Sequence, residues 1–505
     1  MKAFPIPATP DETVDVAAGS TLGLQEFLLA SDGQVGLNTL AVGFTNTGKV
    51  SGTSLGAGNV VEVYASGADF NSGTVLYREF MNFGEHITFT GLSSGAIIKS
   101  SQGFYGVSEI NYGGTTVATM PLLSLGLSFE TTFMFGFRHN ENTGGTTNGF
   151  IFVVNGPLES EVSVTYGDGS FVPSAPDQTL GPWELGIFHL QGNVEYIVNS
   201  SNNVMACTAV GFNDTDPNAA TSAIGAGPRD ARLIMPLTND GITHPRSGNM
   251  SALFDGTVVS WFDMQGHEGQ LNNGAGINPG TPIDMDQATP NGTGNGQTDY
   301  DPIGFTRFKA VGLISGYSGA DGAGGDATPM CPVSAMSQVV AQPFFINDSG
   351  NGDQGSITIA SPYTGTARIY EYNTGTGGLD LAYTVPLIRD GVTVTTKEDQ
   401  NHPAAGQLAP TQTGTGRVAM VGQLNAGVII ADVPIMVIAQ SNGTPAVTVR
   451  SQNGTTTTPT AMDDDETLLF GITPDSIRAE IREDADGILR KRVIDNTGAE
   501  TWVVA

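Results

Sequence analysis

The side chains with chemical potential in this chain are numerous but scattered. None of the six histidines stands in a metal-binding spacing such as HExxH, and lone histidines near turns are expected on the surface; they are His86, His139, His189, His244, His267 and His402. The chain contains no CxxC pair, no GxSxG turn to present a catalytic serine and no Walker A phosphate loop. Its 50 acidic residues leave room for a glycosidase-type carboxylate pair, but no particular pair is singled out. We therefore predict no catalytic, cofactor-binding or metal-binding residue.

Two glycine-rich loops carry aspartates that resemble oxygen ligands for calcium. The segment 348–353 begins like a calcium-binding loop but lacks the bidentate glutamate at the twelfth position. Asp321 and Asp326 stand in a second loop of similar composition. We interpret both loops as ordinary polar turns.

The elements that would position any site form a repeat. A β-branched or aromatic strand followed by a turn glycine occurs four times, and the turn glycines are Gly67, Gly169, Gly266 and Gly375. Each interval is close to one hundred residues, and four further strand markers recur around each glycine in the same order. Such strands with partial period-2 alternation are typical of half-buried β-structure. We infer tandem duplication of one all-β unit, with a single large irregular β-protein as the alternative.

The predicted fold class is all-β: a tandem array of four similar β-sandwich domains, Ig-like in type, plus a small C-terminal β-meander. Short strands between Gly, Asn, Asp, Ser and Thr turns favour sandwiches, and capped helical patterns are nearly absent. Four like domains in a row predict an elongated molecule. The expected boundaries are 1–112, 113–228, 229–336 and 337–450 for the four copies, and 451–505 for a Thr-rich linker with the β tail.

The third copy differs from the others by a long insertion. Residues 266–302 are rich in Asn, Gly, Thr, Pro and Asp, and another glycine-rich loop follows at 318–326. Long loops without regular structure inside a compact domain are usually functional or serve as docking arms. We therefore expect the third copy to be the one modified for contact.

The C-terminal tail concentrates positive charge. Alternation around turns at 484–487 and 496–498 predicts three strands, with a helix starting near Ser476 as the alternative. Because the rest of the chain is strongly acidic, charge complementarity would guide the tail to another subunit or copy. Pairing with neighbouring acidic residues inside the meander is the competing interpretation. The proposed docking residues are five of the chain's 20 basic residues: Arg478, Arg482, Arg490, Lys491 and Arg492.

Charge and composition exclude several classes of partner. The formal net charge is −30, so nucleic acid, whose phosphates need basic residues, is excluded as a partner. No apolar stretch reaches the roughly 18 residues of a membrane span, and no signal peptide is visible at the N-terminus. Cys207 and Cys331 lie in different copies, so we expect small buried hydrophobic residues rather than a disulfide. The expectation is a soluble protein made in the cytosol, without membrane insertion.

Three features of the chain occur together in one class of structural protein. They are the acidic, Gly-, Thr- and Asn-rich β-repeats, the segment MPLTNDG at 235–241 and the segment VIDNTGAETW at 493–502. With them the chain resembles structural proteins of tailed phages, especially phages of marine cyanobacteria. The resemblance implies a virion component, made in the host cytoplasm and released by lysis without a secretion signal. It implies a non-enzymatic fibre, capsid decoration or tail appendage without cofactor, a homo-oligomer that contacts other virion subunits and a host surface glycan.

Two other functions stay open. A bacterial surface adhesin or surface-layer protein is also built from β-sandwiches, and the segment GAIIKSS at 95–101 is similar to adhesin strands. The missing signal peptide and sorting signal count against this function. A polysaccharide-degrading phage appendage is the enzymatic alternative, with residues 266–302 as one wall of its site.

Overall fold

The computed structural model shows a protein made almost entirely of strands. It describes residues 35–38, 48–92, 95–100, 104–112, 115–121, 123–124, 130–136, 148–156, 158–191, 195–212, 230–243, 249–263, 268–285, 306–318, 328–342, 346–347, 356–387, 415–419, 423–440, 447–459, 466–469, 481–483, 489–494 and 500–504. Helical structure in these ranges is limited to α1 (Gly67–Ser72) and three 3-10 turns, Leu271–Gly274, Val333–Ala335 and Gln452–Gly454. The all-β prediction is confirmed.

The first repeat folds as two facing sheets. Its strands are β1 (Val35–Asn38), β2 (Gly48–Ser54), β3 (Asn59–Tyr64), β4 (Tyr77–Met81), β5 (His86–Leu92), β6 (Ala96–Ser100), β7 (Phe104–Tyr112), β8 (Thr115–Pro121) and β9 (Leu123–Ser124). One sheet has the order β4-β3-β6-β1-β9 and the other β5-β2-β7-β8, with antiparallel pairing. Val61 and Ile98 from the first sheet meet Val50 and Phe89 from the second in one buried cluster. The repeat is therefore a two-layer sandwich.

Three further segments follow the first. The second contains β10 (Glu130–Gly136), β11 (Asn148–Asn155), β12 (Ser160–Tyr166), β13 (Gln178–Leu180), β14 (Leu185–Gln191), β15 (Glu195–Phe212) and β16 (Asp230–Leu233). The third contains β17 (Thr238–Thr243), β18 (Asn249–Ala252), β19 (Val259–Asp263), β20 (Glu268–Gln270), β21 (Ile283–Asp284), β22 (Thr306–Ser318), β23 (Thr328–Pro329) and β24 (Cys331–Pro332). The fourth contains β25 (Ser337–Gln342), β26 (Ile346–Asn347), β27 (Ser356–Ala360), β28 (Gly365–Asn373), β29 (Gly378–Leu387), β30 (Thr415–Ala419), β31 (Gln423–Leu424), β32 (Gly427–Gln440), β33 (Val449–Arg450), β34 (Thr456–Thr457) and β35 (Glu466–Leu469).

One strand-pairing pattern recurs in all four repeats. In repeats 2, 3 and 4, one long strand (β15, β22 and β32 respectively) crosses from one sheet to the other. In repeat 1, two separate strands, β6 and β7, occupy the places of its first and second halves. In repeat 2 the first half of β15 pairs with β10 and β12, and its second half pairs with β11 and β16. β22 and β32 pair with the equivalent strands of their own repeats. That the repeats are independent domains stays a prediction.

The closing strand of several repeats lies beyond the predicted boundary. β8 pairs with β7 although it follows residue 112, and β16 pairs with β15 although it follows residue 228. β35 likewise pairs with β32 beyond residue 450. These strands carry no aromatic or glycine marker, so the repeat pattern ended before them. Each of these repeats extends further along the chain than predicted.

The predicted insertion of repeat 3 is partly regular structure. Its described part, 268–285, contains β20, a 3-10 turn and β21, which occupy the places of β4 and β5 in repeat 1. Asn272 and Asn273 adopt left-handed backbone conformations, φ 51° for both, and the Asn272 side chain donates to the carbonyl of Gly276 at 3.0 Å. Asparagine tolerates this conformation because its side chain bonds locally. The expectation of an unstructured loop is wrong for these residues.

The repeats share one hydrophobic core in addition to their own. Along β11, Ile151 and Val153 face the interior of repeat 2, whereas Phe150, Phe152 and Val154 face a cluster that receives residues from all four repeats. The outer faces of these sheets are therefore apolar, and they must pack against each other so that their side chains are removed from water. The predicted elongated row of domains is wrong for this reason.

The repeats pack in cyclic order. Their closing strands touch in turn: β8 with β16, β16 with β23, β23 with β35, and β35 with β8. The first strand of one repeat also lies against the next repeat, β10 against β18 and β22, and β25 against β2 and β7. Since repeat 4 contacts repeat 1 as repeat 2 contacts repeat 3, these head-to-tail contacts close into a ring.

The C-terminal tail ends in a three-stranded sheet. Its strands are β36 (Ile481–Glu483), β37 (Leu489–Ile494) and β38 (Glu500–Val504), paired antiparallel in the order β36-β37-β38. The predicted meander is confirmed.

Candidate functional site

The residues that could do chemistry are not brought together in the described part of the chain. No group of three or more His, Cys, Asp and Glu lies close enough there to hold a metal ion. The loops at 319–327 and 348–353 lie outside the described residues, as do His139, His244, His267 and His402. Cys207 and Cys331 are buried and free, as predicted, and burial raises the pKa of the Cys331 thiol to about 12.

The two described histidines have structural surroundings. His86 is buried, its Nε2 lies 3.2 Å from Thr88 Oγ1, and burial lowers its pKa to about 3. His189 is partly buried beside the ring of Phe150, at 5.5 Å between centroids, and burial lowers its pKa too. Both imidazoles are therefore neutral at neutral pH. The expectation of surface histidines is wrong for His86.

A recurring turn forms the contact between neighbouring repeats. It precedes the fifth strand of a repeat and reads NFGE at 82–85, GPWE at 181–184 and NPGT at 278–281. The N–H of the fourth residue donates to the carbonyl of the first at 3.1, 3.1 and 3.2 Å respectively. The third residue has a positive φ each time, 77° at Gly84, 62° at Trp183 and 77° at Gly280. These are type II turns, which favour glycine at that position.

Trp183 stands where the other two turns have glycine. Its left-handed backbone costs on the order of 1–3 kcal/mol, which its packing must offset. The Trp183 ring is buried edge-on against Phe70 of repeat 1, and Phe70 packs in the same way on Tyr64; both centroid distances are 5.0 Å. The carbonyl of Trp183 also lies where a side chain on Gly67 would have to go. The strained residue thus joins repeat 2 to repeat 1.

Glu195 occupies the corresponding junction between repeats 2 and 3. Its Oε1 accepts the N–H of Gly280 at 2.8 Å, and its carbonyl accepts the N–H of Gly167 at 2.7 Å. Its Oε2 is buried without a hydrogen-bond partner in the described structure. Burial raises the pKa of this carboxyl, and the Gly280 N–H and the nearby Ser251 hydroxyl offset part of that effect. The junction therefore favours a neutral Glu195.

The segment 447–459, named the strap below, joins repeat 4 to repeat 1. Arg450 Nη2 lies 2.7 Å from Glu79 Oε2, and its Nη1 lies 3.1 Å from Glu85 Oε1. Gln452 Nε2 donates to Thr90 Oγ1 at 2.8 Å, and the N–H of Thr90 donates to Gln452 Oε1 at 3.1 Å. The strap therefore covers the outer edge of β5. The prediction of a Thr-rich linker is wrong here, because the segment is folded against another repeat.

The predicted docking residues lie in the meander, except Arg478, which is outside the described residues. The register places Arg482 on β36 opposite Arg490 on β37, and Arg492 follows two positions later on the same face. Lys491 falls on the other face, opposite Ile481. Like charges directly opposite each other are destabilising, so an acidic partner on this face would stabilise the meander. Whether these residues dock stays a prediction.

Sequence reasoning missed Arg450, Glu79, Glu85, Trp183 and Glu195. The segments NFGE at 82–85 and GPWE at 181–184 were available as a signal for Glu85 and Trp183 alone, because each reads as a turn that ends in a glutamate. Comparison with known proteins adds no assignment. No family model and no curated protein matches this chain. Among the described residues, no helix has the length and apolar character needed to cross a membrane.

Proposed function

We propose that this protein is a non-enzymatic structural subunit of a virion, made in the host cytoplasm and incorporated into the particle. The observation that carries the proposal is the cyclic body: four repeats with one shared core, closed by an ion-paired strap. A body whose junctions are buried is rigid, and a rigid unit can hold a fixed place in an assembly. The phage-like sequence features and the net charge of −30 support a virion as that assembly.

The cyclic packing favours a capsid decoration or a compact tail appendage over an extended fibre. In this function the body contacts other virion subunits, copies of itself or a host surface glycan. The tail 470–505, which follows β35, docks the body to its neighbour through Arg478, Arg482, Arg490, Lys491 and Arg492. The strongly acidic body attracts such a basic segment, whereas two acidic bodies repel each other.

Mass spectrometry of gradient-purified particles tests the virion proposal. We expect the chain at a fixed copy number per particle, co-migrating with the capsid through a density gradient. A chain found only in the soluble host lysate would contradict a virion function. A variant ending at Leu469 tests the tail, because it keeps β35 and hence repeat 4 intact. Normal incorporation of that variant at physiological salt would contradict tail docking alone.

The non-enzymatic part needs its own assay. Purified protein incubated with host capsular polysaccharide should release no new reducing ends over the buffer blank. Hydrolysis that a single Asp or Glu substitution abolishes would instead support the degrading appendage.

A further inference from the structure

We infer that three exposed apolar loop tips, Leu158, Phe254 and Tyr363, form a docking surface for the neighbouring virion subunit that receives the basic tail. This inference rests on the proposed virion function and names the part of the body that touches the neighbour. It follows from the positions of the tips, from the hydrogen bonds that hold them and from the place where the tail leaves the body.

The three tips occupy the same loop in three repeats. Leu158 lies between β11 and β12, Phe254 between β18 and β19, and Tyr363 between β27 and β28. Each loop joins the strand beside the second half of the long strand to the strand beside its first half. One turn contacts the preceding repeat at three of the four junctions, so the repeats are related by rotation about the ring axis. Equivalent loops therefore lie at one height along this axis, and the tips share one side of the ring.

Buried polar side chains fix the backbone of the first two tips. Asn155 Nδ2 donates to the carbonyl of Leu158 at 2.6 Å. The hydroxyl of Thr257 donates to the carbonyl of Phe254 at 2.7 Å. Asn155 and Thr257 are both buried, so the folded body holds these two tips in place.

Ser361 fixes the third tip in the same way. Its buried Oγ accepts the N–H of Tyr363 at 3.1 Å and donates to the carbonyl of Pro434 on the long strand at 2.8 Å. The three tip residues are nevertheless 58%, 54% and 42% exposed in chain order. Single exposed apolar residues are normal on a surface, but firmly held ones at three equivalent positions indicate a contact surface. Side chains on a rigid backbone also lose less conformational entropy when a partner covers them.

The apolar surface is largest in repeat 3. A Cβ atom at Gly312 would lie 3.5 Å from Cδ2 of Phe254, and the adjacent Val311 is 89% exposed. The equivalent loop of repeat 1 has Ala57 and Gly58 at its exposed positions and so presents no large apolar tip. Because the four loops differ, a neighbour that fits them holds the body in one rotational orientation.

The tail leaves the body beside the third tip. β27 and β35 flank β32 and run in the same direction. Ala360 at the end of β27 is opposite Met436, and Leu469 at the end of β35 is opposite the next residue of β32. Leu469 therefore lies roughly 10 Å from Ala360, since two strand spacings separate them. Tyr363 soon follows Ala360 in the sequence, so a neighbour that holds the tail lies next to this tip.

A different protein is the occupant that exposure and charge favour. The tips are exposed within the single chain, so a surface outside this chain covers them. Glu159 and Asp255 are exposed directly after Leu158 and Phe254, so two copies that met through their tips would bring like charges together. The tail, by contrast, brings basic residues to acidic groups. The neighbour therefore carries an apolar patch for the tips and acidic groups for the tail.

Hydroxyl-radical footprinting of purified particles tests the contact without any substitution. Mass spectrometry should find the three tips oxidised readily in the free protein and several-fold less in particles. The controls are comparably exposed apolar residues toward the far ends of β3, β12 and β28: Leu76, Phe171 and Leu381. These should be oxidised equally in both samples. Equal oxidation of the tips in both samples would overturn the inference.

Competition during assembly measures how much the tips contribute. Host cells that express wild type together with Leu158→Ser/Phe254→Ser/Tyr363→Ser yield particles in which mass spectrometry gives the ratio of the two chains. We expect this variant to be at least roughly tenfold under-represented, because each lost apolar contact weakens binding. The control variant Leu76→Ser/Phe171→Ser/Leu381→Ser should be incorporated like wild type. Circular dichroism confirms folding, and a folded tip variant incorporated at the wild-type ratio would contradict docking through the tips.

The free protein distinguishes the other occupants. Protection of the tips that grows with protein concentration would assign them to a second copy. Tips that are protected in the full chain but oxidised in the variant ending at Leu469 would assign them to the chain's own tail. Either result overturns the inference. Absence of the wild-type chain from particles contradicts the proposed function itself, whereas its presence with fully oxidised tips contradicts this inference alone.

Discussion

Replacing Arg450 by methionine should release the strap while leaving the four repeats folded. Methionine keeps much of the length and apolar surface of arginine but removes the guanidinium that bridges Glu79 and Glu85. Glu79 is 7% exposed and would keep a hydrogen bond from the N–H of Asn453 at 2.7 Å, but its charge would have no basic partner in the described structure.

The expected cost follows from the burial of the three side chains. Removing one partner of a fully buried ion pair typically costs about 3–5 kcal/mol. The Arg450 side chain is 33% exposed and the Glu85 side chain 16%, so water screens part of the interaction. We therefore expect a loss of about 2–3 kcal/mol for opening the strap. Arg78 with Glu62 is the matched control, because Arg78 is 56% exposed and its loss should cost only about 0–1 kcal/mol.

Native-state hydrogen exchange measures this opening directly, without requiring two-state unfolding of a long chain. Amides of the strap and the outer edge of β5 should exchange roughly 30- to 150-fold faster in Arg450→Met, since about 1.4 kcal/mol corresponds to tenfold. Amides of repeat 3 should be unchanged. Equal protection of the strap in Arg450→Met and Arg78→Met would refute the reasoning.

Three further predictions concern single residues at the junctions and in repeat 1. Trp183→Ala should destabilise the protein by about 3–5 kcal/mol through lost packing. Trp183→Gly should be less destabilising than Trp183→Ala, because glycine relieves the positive φ. A higher melting temperature for the alanine variant than for the glycine variant would contradict the strain argument. The pKa of Glu195 is raised, so its contribution to stability is complete below its unfolded pKa and is lost as pH rises through the folded value. Glu195→Gln should therefore gain stability relative to wild type between pH 4 and pH 8 in urea titrations, and a difference independent of pH would count against this. The pKa of His86 is lowered to about 3, so its contribution is complete above pH 6.5 and falls by up to about 5 kcal/mol on acidification toward pH 3. His86→Gln should show a shallower acid-induced loss in the same titration, and an unchanged slope would exclude His86 as the cause.

The strands of this protein were predictable because local patterns determine them. The meander around 484–487 and 496–498 follows from alternation and turn residues that lie next to each other in sequence. The strands that precede Gly67, Gly169, Gly266 and Gly375 likewise hold equivalent places: β3, β12, β19 and β28 pair with β6 or with the first half of the long strand of their repeat.

The cyclic packing of the repeats was harder to predict from the sequence, because it depends on contacts between residues that are far apart in the chain. One signal was present: Phe150 to Val154 is apolar without alternation, which indicates a strand buried on both faces. The strap gave no such signal. Its Thr-rich composition resembles a linker, and its partners lie more than 350 positions away in sequence.

The strap also sets the order in which the protein is completed during synthesis. β5 leaves the ribosome early, but the residues that cover its outer edge are translated only after three further repeats. At about 5–20 residues per second, translation alone separates the two by roughly 20–70 s. Throughout that interval the edge of β5 exposes unpaired backbone groups, which can pair with another nascent chain. Repeat 1 must therefore persist without its covering strap until residue 450 has emerged from the ribosome. During that time, pairing between nascent chains translated from the same mRNA competes with closure of the ring.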